Sequence, residues 1–287
     1  MSFLDFAKRV KALEKGRKKR LLRKTRFPKR IYNTLKQEKE AYELIYNLMN
    51  VSSKSMIEEA LKGYKIVDDL NDLEKTTSVS SVELSAFDLS TDKLISNVER
   101  AVSNSFAEFS KISIGERYIP APVEKSLLNN WKNNFLIQCK SATNDLKKII
   151  SKDVYDSVMR GDALSIVKKK VYESTNDYTK KKAQFIARDQ VSKLNGAINK
   201  IQQKSVNINL YVWTPVGDAR TRDSHARLGQ NGVICSWDDP TIYYKVEDNK
   251  LVKHKRLASM FIGHPSEDYQ CRCFGLPFIP ELEGIDG

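Results

Sequence analysis

The chain has 287 residues, 40% of them apolar, enough for one large core or two smaller ones. Its longest apolar runs reach only about four or five residues, which excludes a membrane-spanning helix, and no leader with a small-residue cleavage site is expected. Four cysteines (Cys139, Cys235, Cys271 and Cys273) are too few for a disulfide-built scaffold and suit a reducing compartment or a metal site. The net charge of +13 is unevenly placed. Residues 1–40 hold 15 Lys/Arg against 4 Asp/Glu, a net of +11, so the other 247 residues carry only +2. A basic arm on a nearly neutral body is expected, and such an arm finds phosphate backbones, anionic lipid or acidic protein, or simply keeps the chain soluble.

Residues 1–27 form this arm. Phe3, Phe6, Val10 and Leu13 fall on one helical face, with Lys8, Arg9, Lys11 and Lys15 on the other, followed by the run Arg17-Lys18-Lys19-Arg20-Leu21-Leu22-Arg23-Lys24. A basic amphipathic helix lies on a membrane, docks on a partner helix or coats nucleic acid. The candidate nucleic-acid-binding residues are Lys8, Arg9, Lys11, Arg17, Lys18, Lys19, Arg20, Arg23, Lys24 and Arg26. Phe27-Pro28 ends the arm.

A helical domain is expected over 28–206. Helices are predicted at 29–50 and 54–70. Residues 76–91, with eight Ser/Thr in sixteen positions, predict a loop, placed near 71–92. Asp92 then caps a helix over 92–112, with the stripe Leu94, Val98, Ala101, Val102, Ser105, Phe106 and Phe109. Ile119-Pro120-Ala121-Pro122 is a rigid connector near 118–123. Helices follow at 123–151, 153–160, 162–174 and 176–204. Trp131, Phe135 and Cys139 recur every four residues, which makes Cys139 a core residue. Ala187, Val191, Leu194, Ile198 and Ile201 form a narrow stripe for packing on a neighbouring helix.

From 207 to 287 the texture changes. Ile208 to Trp213 is β-rich, and seven of the twelve Gly, all three His and three of the four Cys fall at 217 or later. The expected fold class is therefore α+β: a mostly α-helical body over about residues 29–204, a basic N-terminal arm, and a small C-terminal α+β region of short strands.

The chemistry-bearing residues concentrate in that last region. The preferred reading is a buried polar cluster of Arg188, Asp218, Arg220, Arg222, His225 and Arg272, because buried charges must be paired and both signs are present. A second reading makes His225, His264, Cys271 and Cys273 a zinc-type ligand set; two cysteines two apart share one face of a strand and are too close for an unstrained disulfide. A third uses the Asp, Arg and His groups for metal-dependent phosphodiester hydrolysis. There is no Gly-rich phosphate loop. His254, within Lys253-His254-Lys255-Arg256, reads as a solvated basic face, and Cys235 beside Trp237 as core.

Taken in order, Ile186-Ala187-Arg188-Asp189-Gln190, Tyr211-Val212-Trp213, Asp218 to His225 (Asp-Ala-Arg-Thr-Arg-Asp-Ser-His), Gly263-His264-Pro265 and Cys271-Arg272-Cys273 resemble the Mu F-like family of phage head morphogenesis proteins. The resemblance covers roughly residues 180–275. It implies a minor structural protein of a tailed-phage virion, not an enzyme, located inside the head near the portal and in the host cytoplasm during assembly. It implies no cofactor, a structural zinc being the alternative reading of the His/Cys set. Implied partners are the portal and other head proteins, with non-specific double-stranded DNA for the arm and the host membrane during ejection. Alternatives are an ejection protein docking on portal or membrane without binding DNA, and a metal-dependent nuclease-like enzyme.

Overall fold

A computed structural model of the protein describes residues 34–62, 81–217, 220–230 and 233–285. The arm at 1–27, with all ten candidate nucleic-acid-binding residues, lies outside these residues, as does Asp218. The fold is α+β. In chain order it comprises α1 (Leu35–Lys62), α2 (Ser81–Ile114), α3 (Lys125–Arg160), α4 (Leu164–Ser205), β1 (Leu210–Thr214), α5 (Asp223–Leu228), β2 (Ile234–Ser236), β3 (Ile242–Glu247), β4 (Lys250–Lys255), β5 (Phe274–Phe278) and α6 (Pro280–Glu283). Among the described residues no helix is long and apolar enough to cross a membrane.

The chain divides into two compact units, one helical, of Leu35–Ile95 and Ser126–Gln190, and one containing Ser96–Lys125 and Val191 onward. In the helical unit, α1 buries Ala41, Ile45, Leu48, Met49, Met56, Ile57 and Ala60, the three-and-four spacing of one helical face. The predicted break near 51–53 does not occur. Ser53 donates its hydroxyl to the Asn50 carbonyl at 2.9 Å, so a polar side chain is satisfied within the helix.

From Ser81 onward the predicted Ser/Thr-rich loop is corrected by α2, which is helical from that residue, while its earlier part lies outside the described residues. Thr91 is fully buried and returns its hydroxyl to the Phe87 carbonyl at 2.8 Å. Phe87 stacks on Phe135 with ring centroids 5.7 Å apart, and Phe135 on Trp131 at 5.0 Å. Apolar burial of this kind outweighs a composition that disfavours helix by a few tenths of a kcal/mol per residue. Asp92 is accordingly not an N-cap. It sits inside α2 and receives Lys132 of α3 at 2.7 Å, with Asp88 3.0 Å from the same ammonium. The breaks expected within 123–160 and near 174–176 are also absent. Thr175, another buried hydroxyl, bonds back to the Val171 carbonyl at 2.6 Å and leaves α4 continuous over 42 residues. Cys139 is core, and burial raises its thiol pKa to about 12.

The second unit holds one antiparallel sheet of order β4-β3-β2-β1-β5. Along β1, Tyr211 and Trp213 are fully buried while Leu210, Val212 and Thr214 are only partly so, the period-two pattern of a strand with one dry face. That face collects Tyr211, Trp213, Leu228, Val233, Cys235, Trp237, Tyr243 and Met260. A second cluster joins Phe106, Phe109 and Ile114 of α2 to Val206, Ile208 and Ile279.

The last turns of α4 grip the sheet through amides. Gln203 and Asn199 both donate to the Gly275 carbonyl at 2.8 Å, Gln203 donates also to the Asn199 side-chain oxygen Oδ1 at 2.9 Å, and its own oxygen accepts the Trp237 indole N–H at 2.8 Å. A Cβ on Gly275 would stand 2.6 Å from the Trp237 ring, so only glycine lets β5 pass under that indole. The Gly275 carbonyl is turned away from β1, and Pro277, two residues on, turns the same way and has no N–H to present. The opposite outer strand, β4, exposes Lys250, Lys253 and Lys255.

Replacing Gln203 with Leu strands the Trp237 N–H in a dry site and removes one of the two donors to the Gly275 carbonyl. The expected loss is about 2–4 kcal/mol of unfolding free energy, measurable as a lowered urea midpoint followed by tryptophan fluorescence. An unchanged midpoint would show that the amide does not tie helix to sheet.

Candidate functional site

Three short pieces of chain converge on the dry face of the sheet. α5 is only one and a half turns long. It points His225 and Leu228, three residues apart, to the same side, and both are buried. Trp213 of β1 meets the His225 ring edge-on at 5.3 Å, and Phe261 lies against it at 4.7 Å. The run 268–273, entering β5, supplies the rest. Gln270 takes a left-handed φ of 53°, and the Ser266 hydroxyl holds the Cys273 carbonyl at 2.8 Å. Cys271 and Cys273 precede the strand rather than lying in it, yet both sulfurs reach one nitrogen. His225 Nδ1 is 3.4 Å from Cys271 Sγ and 3.5 Å from Cys273 Sγ.

The other nitrogen, Nε2, lies 3.0 Å from Asp268 Oδ2. Asp268 is fixed in turn by Arg222 at 3.2 Å and by the Tyr269 N–H at 2.8 Å, and Arg222 donates to the Tyr269 carbonyl at 2.8 Å. A carboxylate only accepts, so this network assigns the imidazole proton to Nε2 and leaves the Nδ1 lone pair facing the sulfurs. The two thiols share a proton unequally. The hydrogen bond from Cys273, working against burial, lowers the Cys271 pKa to about 5. Cys273, as the donor and also buried, is pushed far up. The Cys273 backbone N–H points at Cys271 Sγ at 3.4 Å.

His264 stands apart from this group. Its Nδ1 is 3.3 Å from the Tyr211 hydroxyl, and it lines a cleft of about 320 Å³ with Lys193, Gly196, Lys200, Ser266 and Glu267. Gly196 permits that cleft wall to close, since a Cβ there would stand 2.7 Å from Ser266 Cβ. Of the polar cluster expected from sequence, the structure brings Arg222 and His225 together through Asp268. Arg220 is exposed, Arg272 half-buried, and Arg188 belongs to the helical unit. Asp268 was missed, although it stands three residues before Cys271; its pairing depends on a turn that periodicity does not reveal. Arg256 was missed as well. It is 8% exposed and donates to the Phe261 and Gly263 carbonyls at 2.6 and 2.8 Å, pinning the loop that carries Phe261. Its neighbour His254 stacks on Tyr243 at 5.1 Å.

Residues 148–275 match the family described as "Phage Mu protein F like protein", a stretch that runs from late α3 through Gly275 and contains His225, Asp268, Cys271 and Cys273. The chain is also 34% identical over 107 residues to an uncharacterized protein of Haemophilus influenzae (strain ATCC 51907 / DSM 11121 / KW20 / Rd). That match takes in 37% of this chain and 20% of the relative, so the chain spans about a fifth of the relative's length. No solved structure matches.

Burial, reinforced by the Lys200 charge, lowers the His264 pKa from 6.5 to about 4, against the opposing pull of Glu267 and Asp238; Arg256 adds to the lowering. Folded His264 thus stays neutral where the unfolded chain protonates it. Stability is full above pH 6.5, falls as pH drops from 6.5 towards about 4, and loses nothing more from this group below that. His264→Gln is expected to flatten the fall of the urea midpoint across that window. Parallel pH profiles for the two proteins would remove His264 from the acid response.

Proposed function

We propose, from the match of residues 148–275 to the phage Mu protein F-like family, that the chain is a minor structural protein of a tailed-phage virion, held inside the head near the portal and acting in head morphogenesis. The observation that carries the reading is the family match itself, which spans the same ordered set of motifs, from Arg188 through Trp213 and His225 to Cys271 and Cys273. The geometry favours a structural role for those motifs over a catalytic one. His225, Cys271 and Cys273 are 2%, 4% and 5% exposed, and a reacting group must face a substrate. Their neighbours Trp213 and Leu228 are core residues of the sheet unit.

The portal and other head proteins are the partners in this reading. The basic arm adds a contact with packaged double-stranded DNA, for which the support is electrostatic: a net of +11 in 40 residues neutralises phosphates without reading bases. Ejection of the protein with the genome, and contact with the host membrane at that moment, extend the same proposal.

Quantitative mass spectrometry of purified DNA-filled heads is expected to find the protein at low copy, and its absence from purified heads would overturn the assignment. In gel shifts, the full chain is expected to bind unrelated duplexes equally, with log affinity falling linearly in log salt, and deletion of residues 1–27 to abolish the shift. Equal binding by the deleted chain would take the arm out of the DNA contact.

A further inference from the structure

Three donor atoms in the sheet unit are arranged around a common point. His225 Nδ1 and the sulfurs of Cys271 and Cys273 all lie within 4.8 Å of one another, and all three residues are buried. We propose that these three side chains bind a thiophilic divalent cation of the zinc class, with Asp268 orienting the imidazole. Zinc takes sulfur at about 2.3 Å and imidazole nitrogen at about 2.0–2.1 Å in a tetrahedral arrangement, which places each sulfur about 3.6 Å from the nitrogen. The observed separations are 3.4 and 3.5 Å.

The surroundings agree with the spacing. Nε2 is engaged by Asp268, so the lone pair offered on Nδ1 is the one a metal needs, and a carboxylate behind a ligating histidine is the usual means of fixing its ring. The Cys273 N–H directed at Cys271 Sγ suits a thiolate sulfur. Charge also balances. A dication with two thiolates and a neutral imidazole sums to zero, and the adjoining Arg222–Asp268 pair sums to zero. Without an ion, two sulfurs compete for a single nitrogen in a dry site. A nucleophile–base–acid relay through Cys271, His225 and Asp268 has the same order of groups, but it has no use for a second sulfur equidistant from the base, and its nucleophile is closed off. His264 is not in the set; its Nδ1 is engaged by Tyr211. Among the described His, Cys, Asp and Glu side chains the cluster supplies three ligands, and the fourth position falls to a donor outside that group.

The test uses the full chain, purified without chelators. Elemental analysis is expected to find one zinc per chain. Titration of the stripped protein with Co2+ is expected to give the visible bands of a tetrahedral thiolate site. Cys271→Ser and Cys273→Ser should each weaken Co2+ binding at least 100-fold, Asp268→Asn about 10–100-fold, and His264→Gln not at all. The Co2+ spectrum of the unaltered chain stands by itself if a cysteine variant fails to fold. A folded chain that carries no zinc and gives no thiolate–Co2+ bands overturns the site, as does metal binding that survives both cysteine substitutions unchanged.

Discussion

A single side-chain amide organises the sheet unit. Gln203 has two donor hydrogens and a carbonyl oxygen, and it satisfies the Gly275 carbonyl, the Asn199 side chain and the Trp237 indole at once. Leaving any of these groups unpaired in a dry interior costs more than a formed hydrogen bond returns, so the end of α4, the start of β5 and the segment after β2 are locked into one arrangement. Trp237 can then lie on Tyr211, ring centroids 3.9 Å apart, and Tyr211 with Trp213 makes the floor of the dry face. The His225 ring stands on that floor, edge-on to Trp213 at 5.3 Å.

Much of this fold is legible in the sequence where one physical signal dominates. The Ala187–Val191–Leu194–Ile198 stripe is buried as its spacing predicts, and Ile201 at its end is only partly covered, because Gln202 and Gln203 take the inward positions there. The β-rich run before Trp213 becomes β1, and Cys139 and Cys235 are core. Boundaries are legible only where the chain carries a breaker. Gly161, with a φ of 71°, ends α3, whereas the Ser/Thr-rich stretch before Asp92 contains neither Gly nor Pro, and from Ser81 on it is helix, with Phe87 stacking on Phe135.

The site divides in the same way. That His225, Cys271 and Cys273 belong together follows from residue type, since thiolates and imidazole serve one kind of chemistry. That Asp268 joins them and His264 does not follows from two left-handed residues, Ser266 and Gln270, which fold the chain between them. Such conformations leave no periodic trace. Arg256 has a related cause. It ends a run of basic residues that face water, but it is turned inward by two carbonyls of its own loop, an arrangement that only the closed loop creates.

The two outer strands of the sheet bear on how copies of this chain meet. β4 places lysines along its length, and β5 presents a carbonyl already taken by α4 followed by a proline with nothing to donate. Continuing a sheet requires a free row of alternating donors and acceptors on an uncharged edge. Among the described residues, both margins of this sheet are therefore blunted against strand addition by a further copy.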